Sequence, residues 1–264
     1  MNSEIKSTSH LAQEDIIQLV NRNILALRIY PFENQATCSR WIEGLKDNSM
    51  LHRYSNALDV PVNRIGMTLF ETEAKPSKIK QYLTEGRLTR PRIRSIFGEI
   101  NPLDQLLKKI NRAWSEGCQI QKLATQQMNP GIIRSFETAN DSGLPPHVDS
   151  LLKDLPDNQD FEDMKCQLAA NLYFDVSEDG GELEIWNYEP NKTELASLFS
   201  GSYDFIDRTK IPTPSQLIKP KIGELIIFRS SCIHSVTKIE CGQRSAASCF
   251  IGFYDTARPL SIWA

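Results

Sequence analysis

The residues with the clearest capacity for chemistry are His147 and Asp149, in the stretch Leu144-Pro-Pro-His-Val-Asp-Ser150. Residues two apart in a β-strand project to the same face, so a strand here brings an imidazole and a carboxylate to one point. Two histidines and one carboxylate on one face of an octahedron bind Fe(II) and leave three positions open for a cosubstrate and O2. The pair therefore supplies two of the three ligands of such an iron site.

The third ligand has to come from a neighbouring strand, and His234 is suitably placed for it. The chain has four histidines, and His234 follows an apolar strand pattern at residues 223–229 and a short turn. Arg244 lies ten residues further on, at the start of another apolar stretch. A dicarboxylate that chelates iron at one end needs a fixed cation at the other, and the planar, permanently charged fork of arginine suits that task.

The order of these residues is more informative than any one of them. A His-x-Asp triplet alone arises by chance in roughly one chain in five with this many histidines. Here the triplet is followed by Gly180-Gly181, then by a Gly-x-Leu-x-x-Phe strand that starts at Gly223, then by His234 and Arg244. The ordered set predicts a metal site with a cation beside it.

The elements that must hold these side chains are strands, and strand patterns fill the second half of the chain. Eight segments have strand character, at residues 119–125, 131–137, 145–149, 166–176, 182–188, 223–229, 233–239 and 245–254. Eight short strands with turn signals between them suggest a double-sheet jelly roll. Asp179-Gly180-Gly181 predicts a turn that pairs two of these strands as a hairpin.

The first half of the chain has mainly helical patterns. Helices are predicted at residues 13–23, 37–46, 76–83, 91–97 and 102–116, with a strand at 24–32 and partial strand character at 63–70. The clearest helix starts at Pro102, because Asn101 can cap it and Gly117 can end it. We interpret residues 1–264 as one α+β domain, with a mainly helical part at 1–118 and a jelly-roll core at 119–255.

Two longer segments, residues 150–165 and 189–217, interrupt the strand pattern. Long excursions on a compact β domain are often lids or binding loops. Plain surface insertions remain the alternative.

Composition restricts the class of partner and the compartment. The net charge is −3, with lysines and arginines spread along the chain, which argues against a nucleic-acid partner. We find no apolar run long enough for a bilayer and no signal-peptide pattern at the N-terminus, so we expect a cytoplasmic protein without membrane partners. The six cysteines have no Cys-x-x-Cys pairing and are expected to be reduced. The oligomeric state stays open, a homodimer included.

Taken together, the motifs resemble the Fe(II)/2-oxoglutarate-dependent dioxygenase family over roughly residues 119–255. They are His147-x-Asp149, Gly180-Gly181-Glu-Leu-Glu-Ile-Trp186, Gly223-Glu-Leu-Ile-Ile-Phe228, His234 and Arg244. The resemblance implies a double-stranded β-helix core, a cupin-like jelly roll, with N-terminal helices that buttress one sheet. It implies the cofactor Fe(II) and the cosubstrates 2-oxoglutarate and O2, with succinate and CO2 as coproducts of a C–H hydroxylation.

Carried over residue by residue, the resemblance makes His147, Asp149 and His234 the iron ligands. Arg244 then anchors the distal carboxylate of 2-oxoglutarate. Three further residues are candidates for the same cosubstrate. Ser248 lies four residues after Arg244 and so on the same strand face, and Asn171 and Tyr173 share a face of the strand at 166–176, although a core role for Ser248 is equally open.

Candidates for substrate contact are Arg134, Phe136 and Trp186. Arg134 and Phe136 precede the His-x-Asp triplet on what would be a facing strand, and Arg134 could bind a substrate carboxylate. Trp186 follows the Gly-Gly turn, where it is either a wall of the pocket or a core aromatic residue.

More narrowly, the chain resembles the small-molecule branch that contains free and N-acyl amino-acid hydroxylases and carrier-independent aliphatic halogenases. The cues are the Pro-Pro-His-x-Asp approach, the long gap to His234 and the chain length. They favour an amino acid or amino-acid-derived metabolite as the small-molecule substrate. Three alternatives stay open: a peptidyl or protein hydroxylase, a desaturation or cyclisation in natural-product biosynthesis, and a non-enzymatic jelly-roll binding protein.

Asp149 also predicts the outcome of the reaction. In the halogenases of this branch a Gly or Ala replaces the carboxylate and frees a coordination position for chloride, whereas this chain keeps the carboxylate. We therefore expect the wild-type protein, given a true substrate and chloride, to yield hydroxylated product when the products are separated by mass. Chiefly chlorinated product would show that this inference is wrong.

Overall fold

The structure is a computed structural model that describes residues 4–46, 51–53, 62–137, 143–155, 158–200 and 205–264. Parts of the two predicted covering segments, residues 156–157 and 201–204, lie outside these ranges. The helices are α1 Gln13–Val20, α2 Gln35–Leu45, α3 Pro76–Phe97, α4 Pro102–Ala113, α5 Leu151–Asp154 and α6 Lys192–Leu198. Short 3-10 turns occur at Leu69–Thr72, Gln159–Phe161 and Arg208–Lys210.

The strands are concentrated in the second half of the chain. Those before residue 130 are β1 Ile5–Thr8, β2 Ala26–Ile29, β3 His52–Arg53, β4 Val62–Ile65, β5 Cys118–Ile120, β6 Lys122–Leu123 and β7 Gln126–Gln127. The next are β8 Ile132–Glu137, β9 Leu144–His147, β10 Cys166–Asp175, β11 Asp179–Gly180, β12 Leu183–Ile185 and β13 Gln216–Ile218. The last are β14 Glu224–Arg229, β15 His234–Val236, β16 Ile239–Cys241, β17 Gln243–Phe253 and β18 Leu260–Trp263.

Two sheets contain most of these strands. The large sheet has the order β1-β2-β14-β10-β17-β8-β4-β3, and β18 joins it to β5 along the far part of β17. The small sheet has the order β13-β12-β15-β9, and β15 pairs antiparallel with both β12 and β9. From β8 to β12 and from β13 to β17 the main strands alternate between the two sheets, while β12 and β13 are neighbours in the small sheet.

The large sheet is buried on both faces. One face packs against α1, α2, α3 and α4 in an extended apolar cluster that includes Leu168, Leu225 and Ile227. The other face packs against the small sheet through a second cluster that includes Ile226 and Phe228. Because neighbouring residues of β14 point to opposite faces, this strand reads as an unbroken apolar run rather than an alternating one.

The helix predicted at 102–116 is confirmed, although it ends earlier, at Ala113, and local chemistry explains where it starts. The side chain of Asn101 accepts a hydrogen bond from the amide of Asp104 at 2.8 Å, and Pro102 occupies the first turn, where no amide donor is needed. Leu103, Leu106 and Ile110 then face the sheet, fully buried.

The separate helices predicted at 76–83 and 91–97 are wrong, because the chain forms one continuous helix, α3, with Pro91 inside it. Proline removes an amide donor and usually ends or kinks a helix. Here Tyr82, Thr89 and Ile93 are fully buried on either side of it, so tertiary packing outweighs the local cost of the proline.

The hairpin predicted at Asp179-Gly180-Gly181 is also wrong, since β10 belongs to the large sheet and β12 to the small one. Asp179 and Gly180 instead form β11, which pairs with β16. A Cβ at Gly180 would lie only 1.9 Å from the carbonyl oxygen of Lys238, and both glycines have positive φ angles, 70° and 73°. The Gly-Gly pair thus lets the chain cross from one sheet to the other at close range.

Within the residues described above, none of the helices has the length and apolar character needed to span a membrane.

Candidate metal centre and cavity

The two histidines meet because β9 and β15 are neighbours in the small sheet. Their register places His147 directly opposite His234, and the ring centroids are 4.2 Å apart. Both side chains point between the sheets, where the ring of Phe228 lies 4.9 Å from that of His234. The predicted partnership of His147 with a histidine on an adjacent strand therefore has a structural basis in this ladder.

Asp149 reaches the same point by a different route from the one that the sequence suggested. The predicted strand at 145–149 ends early, since β9 stops at His147, and Asp149 lies in the loop beyond it. Its Oδ2 atom is nevertheless 3.3 Å from Nε2 of His234 and 3.9 Å from Nε2 of His147. The convergence is as expected, but strand alternation does not produce it.

Hydrogen bonds fix which nitrogen of each imidazole faces Asp149. Nδ1 of His147 lies 2.8 Å from the carbonyl oxygen of Pro145, and Nδ1 of His234 lies 2.9 Å from that of Cys232. A carbonyl group can only accept, so each Nδ1 carries the proton and each Nε2 presents a lone pair. Ligating histidines in metal sites are commonly oriented in this way.

The charges of the three groups suit a cation. Burial lowers the pKa of His147 to about 3, and the nearby His234 acts in the same direction, so His147 is neutral near pH 7. Burial acts to raise the pKa of Asp149, but His147, His234 and Arg134 outweigh it, and the net shift is downward. The centre thus offers the neutral imidazole of His147 and one negative oxygen of Asp149 beside Nε2 of His234.

This donor set fits a single divalent ion. The three ligand atoms lie within 4.8 Å of one another, and the side chains are largely buried. Ligand atoms bonded to one ion at about 2 Å are about 3 Å apart on a face of an octahedron, close to the observed 3.3 Å between Asp149 and His234. Two nitrogens and one carboxylate, with the remaining side open to a cavity, is the donor pattern of a non-haem Fe(II) site.

The other end of the cavity contains a buried cation, Arg244. Its guanidinium lies between two aromatic rings, 5.1 Å from the centroid of Phe136 and 4.8 Å from that of Tyr173. Its Nη2 donates to the hydroxyl of Tyr173 at 3.0 Å, while its Nε has no hydrogen-bond partner among the described residues. Burial lowers the pKa of Arg244, and Tyr173 opposes that shift, but an arginine stays charged in a protein. An anion with two oxygens would satisfy this group.

Cross-strand register explains why the other polar candidates surround the same space. Arg134 on β8 lies opposite Ala246 on β17, and Ala246 lies opposite Tyr173 on β10. The small alanine leaves a gap between two long side chains. Two residues after Ala246 on β17, Ser248 lies opposite Asn171 on β10 and donates a hydrogen bond to its Oδ1 at 2.7 Å.

The structure therefore brings together nearly all of the residues singled out in the sequence. The cavity is lined by the three metal-site residues and by Arg134, Phe136, Asn171, Tyr173, Arg244 and Ser248. Trp186 is the exception. It is buried in a separate apolar cluster with Val148, Leu198 and Ile206, and its Nε1 donates to the carbonyl oxygen of Pro212 at 2.6 Å.

Sequence reasoning missed the apolar part of the cavity wall. Leu144, Leu183, Phe228, Val236 and Ala246 all line it. The alternation along β14, which turns Ile226 and Phe228 toward the small sheet, would have identified Phe228. Leu144, Leu183 and Val236 lie on short strands whose ends cannot be placed from periodicity.

Both long excursions lie near the metal centre where they are described. The ring of Phe205 is 6.2 Å from that of His147, and the amide of Ile206 donates to the carbonyl oxygen of Pro146 at 2.7 Å. Lys153, in the other excursion, lies 6.0 Å from the ring centroid of Phe199. The two segments therefore meet beside the edge strand β9.

Comparison with known proteins agrees with this geometry. The model of the 2OG-Fe(II) oxygenase superfamily matches residues 133–252, which include both histidines, Asp149 and Arg244. L-isoleucine 3(1)-dioxygenase of Pantoea ananatis (strain AJ13355) is 27% identical over 113 residues, 41% of this chain and 38% of that enzyme. The similarity therefore spans well under half of that relative's length.

Solved structures show the same fold over almost the whole chain. An N-substituted L-amino acid dioxygenase from Burkholderia ambifaria AMMD is similar with a TM-score of 0.63 and 14% identity, over 95% of this chain and 90% of that one. The structure of such an enzyme from the same organism in complex with α-ketoglutarate gives a TM-score of 0.61 at 13% identity, with the same coverage.

Residues 133–252 of the chain therefore resemble the 2OG-Fe(II) oxygenase superfamily. The particular reaction and substrate depend on the chemistry of the cavity.

Proposed function

We propose that this protein hydroxylates an unactivated C–H bond of an amino acid or amino-acid-derived small molecule, with 2-oxoglutarate and O2 as cosubstrates. One observation carries the proposal. Nε2 of His147, Nε2 of His234 and a carboxylate oxygen of Asp149 converge within 4.8 Å, in a cavity that also contains the buried Arg244. A non-enzymatic binding protein has no need for this combination.

In this proposal His147, Asp149 and His234 hold Fe(II). When bound, the iron supplies activation of O2 coupled to the conversion of 2-oxoglutarate to succinate and CO2. Arg244 holds the distal carboxylate of 2-oxoglutarate, because it lines the cavity and its Nε has no hydrogen-bond partner among the described residues. Tyr173 keeps that guanidinium in place through the hydrogen bond at 3.0 Å.

Asn171 and Ser248 complete the cosubstrate end of the cavity. Their mutual hydrogen bond orients the amide of Asn171, which leaves its NH2 group as a donor. We assign both to contacts with 2-oxoglutarate.

The proposal includes the architecture. We take residues 1–264 as one domain whose core, within residues 119–255, is a double-stranded β-helix. Support comes from the order β8-β17-β10-β14 in one sheet and β9-β15-β12-β13 in the other, which is how eight successive strands of a jelly roll are arranged. The helices α1 to α4 buttress the large sheet.

The substrate end of the cavity suits an aliphatic carboxylate. Arg134 lines it and acts electrostatically on Asp149, Tyr173 and Arg244, so it lies within range of both ends. Apolar side chains, among them Phe136 and Leu183, form much of the rest of the wall. The names of the similar enzymes, an isoleucine dioxygenase and an N-substituted amino acid dioxygenase, support the same substrate class.

A small molecule is favoured over a peptide by the surroundings of the metal centre. We propose that residues 150–165 and 189–217 cover the site, supported by the contact of Phe205 with His147 and by that of Lys153 with Phe199. A peptidyl hydroxylase needs an open groove at this edge. Trp186 then supports the covering segment from beneath instead of touching substrate.

We also propose a reducing, cytoplasmic location. All six cysteines are free thiols, four of them buried, and proteins of oxidising compartments more often pair theirs.

Replacing Arg244 by glutamine tests the cosubstrate anchor. Loss of a buried charge-assisted contact commonly costs a few kcal/mol, so we expect the concentration of 2-oxoglutarate needed for half-maximal succinate release to rise about 10- to 100-fold. Arg90→Gln, a change on the exposed side of α3 where Arg90 pairs with Asp104, is the matched control. An unchanged requirement in Arg244→Gln would remove Arg244 from this role.

The substrate class is tested by a screen for succinate release over free and N-acylated amino acids and their carboxamides. We expect stimulation by one or more aliphatic carboxylates and little by the matching amides. In Arg134→Gln the KM for that carboxylate should rise about 10- to 100-fold and the preference over the amide should disappear, while the 2-oxoglutarate requirement changes little. A rise confined to the 2-oxoglutarate requirement would instead place Arg134 at the cosubstrate, and an equal response to acids and amides would contradict the substrate class.

A further inference from the structure

Asp149 is held differently from the two histidines. His147 and His234 lie on neighbouring strands, and each imidazole is fixed by a carbonyl two residues earlier in the chain. Asp149 lies beyond the end of β9, so no strand ladder orients it. Something else must fix the direction in which its carboxylate points.

Ser230 makes the contacts that do so. Its carbonyl oxygen accepts from the amide of Asp149 at 2.9 Å, and its hydroxyl donates to the carbonyl oxygen of Asp149 at 3.0 Å. The peptide groups on both sides of the Asp149 Cα are therefore tied to one residue. Fixing both peptide planes fixes the Cα–Cβ bond and leaves only side-chain rotation.

Ser230 is itself firmly placed. It is fully buried, directly follows β14 and lies four residues before His234. Its amide donates to the carbonyl oxygen of Gln167 on β10 at 3.2 Å. The loop that contains Asp149 is thereby attached to two central strands of the large sheet.

Gln167 holds the same loop at a second point. Its side-chain Oε1 accepts from the amide of Leu151 at 2.7 Å. Leu151 begins α5, where the amides need acceptors, and the side chain of Ser150 provides none. The chain is thus anchored at Asp149 and again two residues later.

We propose that Ser230 and Gln167 are positioning residues that act through the backbone of the 149–151 loop to aim the Asp149 carboxylate at the two Nε2 atoms. This inference rests on the proposed role of Asp149 as a metal ligand. Removing a group that orients a metal ligand typically lowers metal affinity or activity by roughly 10- to 100-fold. Ser230 and Gln167 contact neither metal nor substrate in this account.

Ser231 offers a matched control for the contact of the Ser230 hydroxyl with the loop. Ser231 is the next residue, and its hydroxyl is buried without a hydrogen-bond partner among the described residues. Ser230→Ala and Ser231→Ala therefore remove the same atom from adjacent positions. Only the first removes a hydrogen bond to the loop.

The test is a titration of metal-free wild-type, Ser230→Ala and Ser231→Ala proteins with Co(II), followed by the visible absorbance of the ion, with thermal unfolding measured alongside. We expect Co(II) affinity to fall about 10-fold or more in Ser230→Ala and to stay at the wild-type value in Ser231→Ala. A purely structural role would lower the unfolding temperature of Ser230→Ala and leave its Co(II) affinity unchanged, which would overturn the proposal.

A second variant covers the case in which Ser230→Ala does not fold. Gln167→Met keeps the length of the side chain but removes the acceptor for Leu151, and it should weaken Co(II) binding in the same direction. It should also raise the ratio of succinate to hydroxylated product, because a loosely held site releases succinate without oxidising substrate. If Gln167→Met kept the wild-type Co(II) affinity and the wild-type ratio of succinate to hydroxylated product, Gln167 would not be a positioning residue. If the well-folded wild-type protein bound no Co(II), the proposed function itself would fail, and this inference with it.

Discussion

The antiparallel register between β9 and β15 is the constraint on which the rest of the site depends. It places His147 opposite His234 at the edge of the small sheet, and a slip of β9 by one residue would turn His147 to the outer face. The apolar contacts between the two sheets hold that register, because Leu183 and Ile185 on β12 must face Ile226 and Phe228 on β14. The same packing that folds the core thus brings the two histidines together.

The charged groups of the cavity depend on this arrangement of the two sheets. A buried guanidinium is costly unless other groups stabilise it, and Arg244 is stabilised by two aromatic faces and the hydroxyl of Tyr173. Asp149 supplies a negative charge at the other end, next to the neutral His147. A cation bound by the ligand triad and a dianion stretched from it toward Arg244 would complete the electrostatics of this cavity.

Much of this site could be predicted from sequence because ligand type and order along the chain carry the signal. The strand predicted at 245–254 was placed almost correctly, since the apolar stretch there matches β17. What failed depended on tertiary context. The helix continues through Pro91 because the turns on both sides are buried. Asp149 lies beyond the strand, in a loop that forms hydrogen bonds with Ser230 and Gln167. The crossing at Gly180-Gly181 looked like a hairpin because the same residues suit both, and only the assignment of β10 and β12 to different sheets distinguishes them.

The central claim is that the three converging side chains and Arg244 form one site for iron and 2-oxoglutarate. The most direct test is an anaerobic titration of the metal-free protein with Fe(II) and then 2-oxoglutarate, followed by the visible charge-transfer absorbance of the chelate. The account predicts a band that needs both additions and is lost in His234→Ala. A well-folded wild-type protein that develops no band would contradict it, and the convergence of His147, Asp149 and His234 would then be a feature of the fold without this chemistry.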